Sequence, residues 1–361
     1  MSLDSQTQDV ESRAVEKSQL SSREPRHTGL PRDAAIDFTK GTLVLFMVLY
    51  HWFNYFVGPQ GHYYNYLRFL TPSFIFISGF MISRIHLGRH ENGGWQLAKR
   101  LTVRGFKLLA LVFFLNAIVS FAPAFFEGQH SDLATSLRNI CRVFLVANPT
   151  ASIGPKNAAF SMLVPIAYLL ILSAGLVGLT KRQKHAFRYA LFVLIVAVTL
   201  SYAYGMVSSY LDLLVIGVLG VVIGFAERRQ MAFVLGHPFV LIVLYCCYLA
   251  VITIWRVTLP LQVVSVILTT ALLYIAGSRG EPGAVWRRTV LLGKYSLLGY
   301  ISQIAILRGL KKISWLSQHG AGVLLASLLL GTLLTWMTVE IADFARRKSK
   351  LADGLYRFVF A

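Results

Sequence analysis

The amino-acid sequence predicts an all-α, polytopic integral membrane protein, a bundle of about ten transmembrane helices with both termini in the cytoplasm. Three observations support this fold class: high overall hydropathy, repeated apolar runs of membrane-crossing length, and Lys and Arg clustered between those runs. The 361-residue chain is 55% hydrophobic and only 14% charged, with a mean hydropathy of +0.59. Soluble domains carry roughly 25% charged residues, so a chain this apolar could not cover its surface in water.

Ten apolar runs lie close to the ~20 residues that a helix needs to cross the hydrocarbon core. A turn is expected from Gly205 to Ser209, where two runs nearly join. The first 33 residues are polar, so we expect no cleavable signal peptide, and the first span must direct its own insertion. The expected spans are residues 36–57, 67–86, 101–124, 157–179, 187–206, 209–226, 234–255, 259–277, 290–308 and 320–343.

The placement of charge predicts the orientation. A formal net charge of +19 could indicate nucleic-acid binding, but the basic residues lie in short clusters beside apolar runs, as topology signals and headgroup contacts do. With the N-terminus inside, most Lys and Arg residues fall in cytoplasmic segments, which favours two cytoplasmic termini and an even number of spans. We therefore expect a disordered cytoplasmic tail at 1–33, a membrane domain at 34–345 and a basic cytoplasmic tail at 346–361.

The long loop at residues 125–156 is expected on the outer face. Its apolar residues recur at helical spacing, which predicts an amphipathic helix lying on the membrane surface, with a lid over a site as the alternative. Three cysteines give neither a disulfide framework nor a metal-ligand spacing, so no metal is expected. The periodic residues are Leu133, Leu137, Ile140, Cys141, Phe144 and Leu145.

The first span contains three ionisable side chains, Asp37, Lys40 and His51. Each costs about 2.5–3.5 kcal/mol within a membrane even on the lenient insertion scale. Asp37 and Lys40 are neighbours on one helical face, and His51 shares that face about 16 Å farther along the axis. This stripe is expected to face the bundle interior or a water-filled cavity. Histidine is suited to proton transfer near neutral pH, although a structural hydrogen bond is an equal alternative for a single His.

The segment from Arg32 to His51 resembles the first helix of membrane-bound acyltransferases. These include the acyltransferase-3 family, the periplasmic-glucan succinyltransferases and the heparan-α-glucosaminide N-acetyltransferase group. Their pattern is an Asp, an Arg-Gly pair three residues later and a distal His, which correspond here to Asp37, Lys40-Gly41 and His51. Lys replaces the usual Arg. Because Arg presents a planar fork and Lys a point charge, the role of position 40 stays open.

Three further stretches are similar to the same superfamily, in the same order along the chain. Residues 71–80 resemble its aromatic helix ending in Ser-Gly-Phe, and residues 292–300, followed by Gln303, resemble its Gly-basic-x-Ser-Leu-x-x-Tyr segment. Glu340 and the basic pair after it resemble the last helix, where we expect Glu340 to pair with a cation at the inner face.

The resemblance implies acyl transfer from a cytosolic acyl-CoA donor, with acetyl-CoA expected, to a hydroxyl or amine of a carbohydrate at the outer face. This would be O-acetylation or a related modification of a polysaccharide at a bacterial inner membrane. Lys40 would receive donor phosphates, Asp37 would position Lys40, and His51 would be the general base. Arg68 would hold an acidic acceptor or an oxyanion, although snorkelling to headgroups is an equal alternative. Weaker candidates for binding are Ser73, Tyr295, Tyr300 and Gln303.

A transporter or flippase for an anionic or lipid-linked substrate is the alternative, because intramembrane charges also mark substrate pathways. The sequence has no detectable inverted repeat, which disfavours that class. A non-catalytic sensor or scaffold is a third possibility. The expected partners are membrane lipids, the acyl donor and a glycan acceptor but not nucleic acid, and a homo-oligomer is left open.

Overall fold

A computed structural model describes residues 33–58, 63–87, 94–127, 160–180, 182–255, 257–281, 283–313 and 320–360, together with the single residues Arg138, Cys141, Val143 and Phe144. All regular secondary structure in this part of the chain is helical, and the chain from Ala34 onward forms one compact unit. The expected disordered tail, apart from Asp33, and most of the expected amphipathic helix at 125–156 lie outside the described residues.

The first helix continues into a π-helical turn at Phe53–Val57, and the third into one at Ile82–His86. In chain order the helices are α1 (Ala34–Trp52), α2 (Tyr63–Leu67), α3 (Leu70–Met81), α4 (Gly94–Glu127), α5 (Leu163–Leu179), α6 (Gln183–Ala203), α7 (Ser209–Gly224), α8 (Arg228–Gly236), α9 (Pro238–Ile254), α10 (Leu259–Arg279), α11 (Ala284–Lys294), α12 (Ser296–Lys311), α13 (Ala321–Lys348) and α14 (Lys350–Phe360).

Length and composition do not confirm the expected count of about ten membrane-crossing helices. Six helices of the described chain are long and apolar enough to cross a membrane, or up to eight if each of two bent pairs counts as one span. Helices α5 and α9 are apolar but only 17 residues long. A multi-pass helical membrane protein is therefore the fold.

One expected span is wrong as a single helix. Residues 290–308 fall on α11 and α12, which meet at an angle of 95° around Tyr295. The expected turn between α6 and α7 is confirmed. Gly205 has a φ of +71°, which favours glycine, and the Ser208 hydroxyl caps α7 by accepting a hydrogen bond from the Leu211 amide at 3.4 Å.

Glycines bring two helix pairs into backbone contact. A Cβ added to Gly41 of α1 would overlap the carbonyl oxygen of Thr289, and one added to Gly293 of α11 would overlap the carbonyl oxygen of Asp37. The crossing of α3 and α7 is built in the same way, at Gly79 and Gly220. Small residues allow such close approach between membrane helices, where dispersion contacts drive association. The α1–α11 crossing fixes the position of the helix that carries Asp37, Lys40 and His51.

Replacing Gly293 with Ala should therefore destabilise the protein, by about 1–3 kcal/mol as overpacked cores are, because the methyl group meets backbone that has no rotamer to change. The matched control is Gly309→Ala on α12, where an added Cβ meets nothing within 4 Å and helix propensity favours Ala by about 0.5–1 kcal/mol. Thermal unfolding in detergent measures both variants. Equal melting temperatures for the two would contradict the close crossing.

Candidate functional site

Asp37 and Lys40 form an ion pair near the beginning of α1. Lys40 Nζ lies 2.7 Å from Asp37 Oδ1, and the two side chains are only 12% and 6% exposed. The i,i+3 spacing placed them on one face, and the α1–α11 crossing covers that face because Asp37 lies directly at the contact with Gly293. Asp37 holds the Lys40 ammonium group in a fixed place at this end of the bundle, which is called the Lys40 end below.

His51 lies at the opposite end of α1 among aromatic rings. Its ring centroid is 5.3 Å from that of Tyr50, 6.4 Å from that of Tyr55 and 6.2 Å from that of Tyr300 on α12. The Nε2 atom is buried and has no hydrogen-bond partner among the described residues. Buried polar atoms usually have a partner, so this nitrogen is a candidate for contact with a substrate.

A cation that the sequence analysis did not single out lies next to this cluster. Arg308 Nε on α12 donates a hydrogen bond to the Tyr55 hydroxyl at 2.9 Å, and the Tyr55 ring is the one that neighbours His51. Arg308 follows Tyr300 by eight residues, so both lie on the same side of α12. That spacing was the available signal, but only the bend before α12 and its packing on α1 bring Arg308 to this position.

Of the two expected surroundings of the stripe from Lys40 to His51, the bundle interior or a water-filled cavity, the described part of the chain shows the bundle interior. Val44 and Met47, which lie between them on the same face, are 0% and 1% exposed. Val44 packs with Tyr295 in one apolar cluster, and Met47 packs with Tyr300 in another. The stripe faces the bundle interior as predicted, but the backbone contact at Gly41 leaves no space along it.

A large cavity of about 1340 Å³ opens at the His51 end. Arg68 is exposed and lines this cavity. Its position is compatible both with contact to a bound acceptor and with snorkelling to headgroups. Tyr50 is part of the described wall, whereas its neighbour His51 is not. Asp212 also lines the cavity and accepts a hydrogen bond from the Tyr202 hydroxyl at 2.9 Å. The sequence analysis missed Asp212, which reads as an ordinary acidic residue in a first helical turn.

A second cavity of about 300 Å³ lies at the Lys40 end. Its wall is largely apolar and includes Ile36 and Thr39 of α1, Phe76 of α3, and Thr270 and Tyr274 of α10. Lys40 follows Ile36 by one helical turn, so the Asp37–Lys40 pair lies close to this cavity along α1.

Two of the weaker sequence candidates are fully buried polar residues. Ser73 on α3 and Gln303 on α12 are both 0% exposed. The Ser73 hydroxyl and both atoms of the Gln303 amide have no hydrogen-bond partner among the described residues. Gln303 lies one turn from Tyr300, on the helix that contacts His51. Ser73 lies between the two cavities along α3, because Pro72 lines the large one and Phe76 the small one.

The structure does not bring Tyr295 to His51. The Tyr295 hydroxyl donates to Asp343 Oδ1 of α13 at 2.6 Å and accepts from Arg346 at 3.0 Å, at the bend between α11 and α12. Glu340 also lies on α13, where it pairs with Arg288 at 3.1 Å in a half-exposed contact, and such surface pairs contribute little.

The expected basic tail is largely the amphipathic helix α14. Arg346 Nε donates to Asp353 Oδ1 at 2.9 Å, Arg357 pairs with the other carboxylate oxygen at 2.8 Å, and the Arg346 guanidinium lies 4.0 Å from the centre of the Tyr356 ring. The hydrogen bonds from Arg346, and then the charges of Arg357 and Arg346, lower the pKa of Asp353. Asp353 therefore holds α14 against the end of α13.

The docking of α14 should depend on pH and on this carboxylate. Because the pKa of Asp353 is lower in the folded protein, its contribution is present above the unfolded value of about 3.9 and is lost as the pH falls through the folded value. At neutral pH, trypsin should cleave Asp353→Asn at Lys348 and Lys350 faster than it cleaves the wild type. In the wild type, cleavage of α14 by a protease that is active in acid should likewise become faster as the pH falls. Glu281→Gln, an exposed carboxylate outside α14, is the control. Unchanged cleavage in Asp353→Asn would contradict this role.

Comparison with known proteins adds a family match. Residues 33–340 match the model of the acyltransferase-3 family, which is described as an acyltransferase domain. The matched region contains α1, both cavities and the α11–α12 bend, and it ends within α13. No curated protein and no solved structure matches the chain.

Proposed function

We propose that this chain, which belongs to the acyltransferase-3 family, transfers an acyl group from a cytosolic acyl-CoA donor to a carbohydrate hydroxyl or amine at the opposite face of a membrane. The single observation that carries the mechanism is the buried, unpartnered Nε2 of His51 at the end of α1 opposite to the Asp37–Lys40 pair. A bacterial inner membrane is the proposed location, with O-acetylation of a polysaccharide as the proposed reaction.

His51 acts as the general base in this mechanism. As the acceptor hydroxyl oxygen attacks the thioester carbonyl, its proton passes to His51 Nε2, and the new C–O bond forms. The C–S bond then breaks, and the imidazolium returns the proton to the departing thiolate. The products are an ester and a free thiol, and nothing is oxidised or reduced. An amine acceptor gives an amide by the same steps.

Arg308 supplies positive charge near the reacting carbonyl. Its guanidinium is bound to the Tyr55 hydroxyl, and the Tyr55 ring neighbours the imidazole. A fixed cation and a polarised hydroxyl stabilise a developing oxyanion more strongly in a water-poor site than in solution. We assign this role to Arg308 and Tyr55 ahead of Arg68, since Arg68 lies on the wall of the large cavity, which the acceptor would enter.

Lys40 binds the phosphates of the donor, and Asp37 positions Lys40. A charge held by a buried carboxylate at 2.7 Å has little conformational freedom, so it presents a point charge to an anion without ordering a long side chain. Gln303 offers a donor and an acceptor to the substrate near Tyr300. Tyr295 belongs to the polar contacts at the helix bend and has no direct role in this scheme.

Replacing His51 with Ala should reduce acyl transfer by about 10²–10⁴-fold, the usual contribution of a general base. The measurement is coenzyme A release from acetyl-CoA and succinyl-CoA by purified protein, with host envelope polysaccharide as acceptor. His185→Ala, the same change at an exposed position of α6, is the control. If well-folded His51→Ala transfers the acyl group at the wild-type rate, His51 is not catalytic. If the wild type takes up substrate but transfers no acyl group, the protein is a transporter instead.

Replacing Lys40 with Ala should raise the KM for the acyl-CoA donor roughly tenfold or more, the size of a lost charged hydrogen bond, while Lys40→Arg keeps the charge and much of the affinity. Lys184→Ala, at an exposed position of α6, controls for the loss of a basic residue. If Lys40→Ala binds the donor as tightly as the wild type does, donor phosphates contact other residues.

A further inference from the structure

We propose that the acyl-pantetheine arm of the donor crosses the protein between α1, α3, α7 and α10, through a plug of side chains around Ser73, and not along the stripe from Lys40 to His51. This route rests on the proposed function, since it concerns the donor of that reaction. It names the path by which a thioester that enters at the Lys40 end reaches the His51 end.

The stripe itself is closed by backbone. Val44 and Met47 are buried in apolar clusters that include side chains of α11 and α12, and the α1 and α11 backbones touch at Gly41 and Gly293. Side chains can rotate to admit a ligand, but a backbone crossing opens only if whole helices separate. A route on this face of α1 would require that separation for every turnover.

The two cavities share four lining helices, although α8 also lines the small cavity and α2 and α6 also line the large one. They therefore approach each other along one seam of the bundle, from opposite ends. At the Lys40 end the four helices contribute Thr39, Phe76, Ile223 and Ile267 to the cavity wall. At the His51 end the same four helices contribute Tyr50, Pro72, Val215 and Gln262.

The plug between the cavities differs in depth among the four helices, from about 6 Å on α3 to about 16 Å between Thr39 and Tyr50 on α1. On α3 the lining residues Pro72 and Phe76 are four residues apart, which is about 6 Å along a helix, and on α10 Gln262 and Ile267 are about 7.5 Å apart. Fully buried residues of all four helices fill the plug, and several of them belong to one apolar cluster. They include Leu43, Ile216 and Val266 of that cluster, together with Ser73.

Ser73 is the polar residue that α3 contributes to this plug. Its hydroxyl is fully buried and has no partner among the described residues, a condition that is uncommon for buried polar groups. A pantetheine arm carries two amides along a slender chain, and an amide passing the plug would supply the missing hydrogen-bond partner. The small side chain also makes α3 the point of the seam where the least volume must move.

The ends of the seam fit the rest of the donor. The cavity of about 300 Å³ at the Lys40 end is narrow and largely apolar, with hydroxyl groups from Thr39, Thr270 and Tyr274, which suits a chain of methylene and amide groups. Lys40 does not line this cavity, but it directly follows Thr39 of the wall along α1, so phosphates held by Lys40 would lie beside the cavity. Thr39 and Tyr50 are eleven residues, or about 16 Å, apart, a distance that an extended pantetheine arm spans, so the thioester would arrive beside Tyr50 and His51.

The test is to fill the plug. Ser73→Leu should lower acyl transfer from acetyl-CoA or succinyl-CoA by roughly tenfold or more, because the added side chain occupies the path of the arm. The control is Ser173→Leu on α5, since Ser173 is also fully buried with an unpartnered hydroxyl and lines neither cavity. Thermal unfolding of both variants shows whether the overpacking cost is the same.

A second measurement does not depend on tolerance of the larger side chain. Ser73→Cys in a background with the exposed Cys141, Cys246 and Cys247 replaced by Ser should react with a small methanethiosulfonate reagent, and coenzyme A should slow that reaction. Ser173→Cys in the same background should stay unreactive with and without coenzyme A.

The outcomes separate the route from the reaction. The route is supported if the wild type transfers the acyl group, Ser73→Leu loses that activity, and coenzyme A protects Ser73→Cys from labelling. The route is overturned, and the proposed function still stands, if Ser73→Leu transfers the acyl group as fast as the wild type does. The same holds if coenzyme A does not change the labelling of Ser73→Cys. A wild type that transfers from neither donor overturns the proposed function, and the route with it.

Discussion

The contact of α1 with α11 is the constraint on which the rest of the arrangement depends. At Gly41 and Gly293 each helix rests on a backbone carbonyl of the other, so neither can rotate without losing the contact. In a membrane, where lipid is as apolar as the helix faces, such close van der Waals packing is a main source of association energy. It fixes α1 in rotation, and thereby directs Lys40 to one end of the bundle and His51 towards α12 at the other. The bend follows this crossing in the chain, and α12 then packs alongside α1.

The bend between α11 and α12 determines which polar side chains come into contact. Tyr295, at the bend itself, is drawn into hydrogen bonds with Asp343 and Arg346 of α13. Tyr300, one and a half turns farther on, contacts His51. Two tyrosines of one sequence motif thus contact different groups. His51, Ser73 and Gln303, which each have a polar atom without a partner in the described chain, lie on α1, α3 and α12, helices that carry the family-like motifs, and other helices contain such atoms as well.

The sequence was sufficient for the helical membrane fold, the turn at Gly205, the Asp37–Lys40 neighbours and the inward direction of the stripe, because each follows from local periodicity and the high cost of charge in lipid. It could not predict that the stripe is dry, since that depends on which helix packs against it and how closely. It did not place Arg308 beside Tyr55 or Asp353 beside Arg346, because those contacts join residues far apart in the chain or separated by a helix break. The expected span at 290–308 failed for a related reason: hydropathy counts apolar residues but does not register a 95° change of direction.

The two faces of α1 are packed in different ways, and this difference affects how a substrate could pass across the bundle. Towards α11 the helix is held by backbone against backbone, which has no alternative packing of similar energy. Towards α3, α7 and α10 it is held, between the two cavities, by side chains of Leu43, Ile216 and Val266 around one small hydroxyl. Side-chain rotations occur on much faster timescales than collective helix movements, so the second face opens at a far lower barrier. A bundle that must stay sealed to ions yet admit a slender chain, as the proposed route requires, is best served by this asymmetry: a rigid side that holds Asp37, Lys40 and His51 in place, and a side closed between the cavities by side chains that the donor would displace.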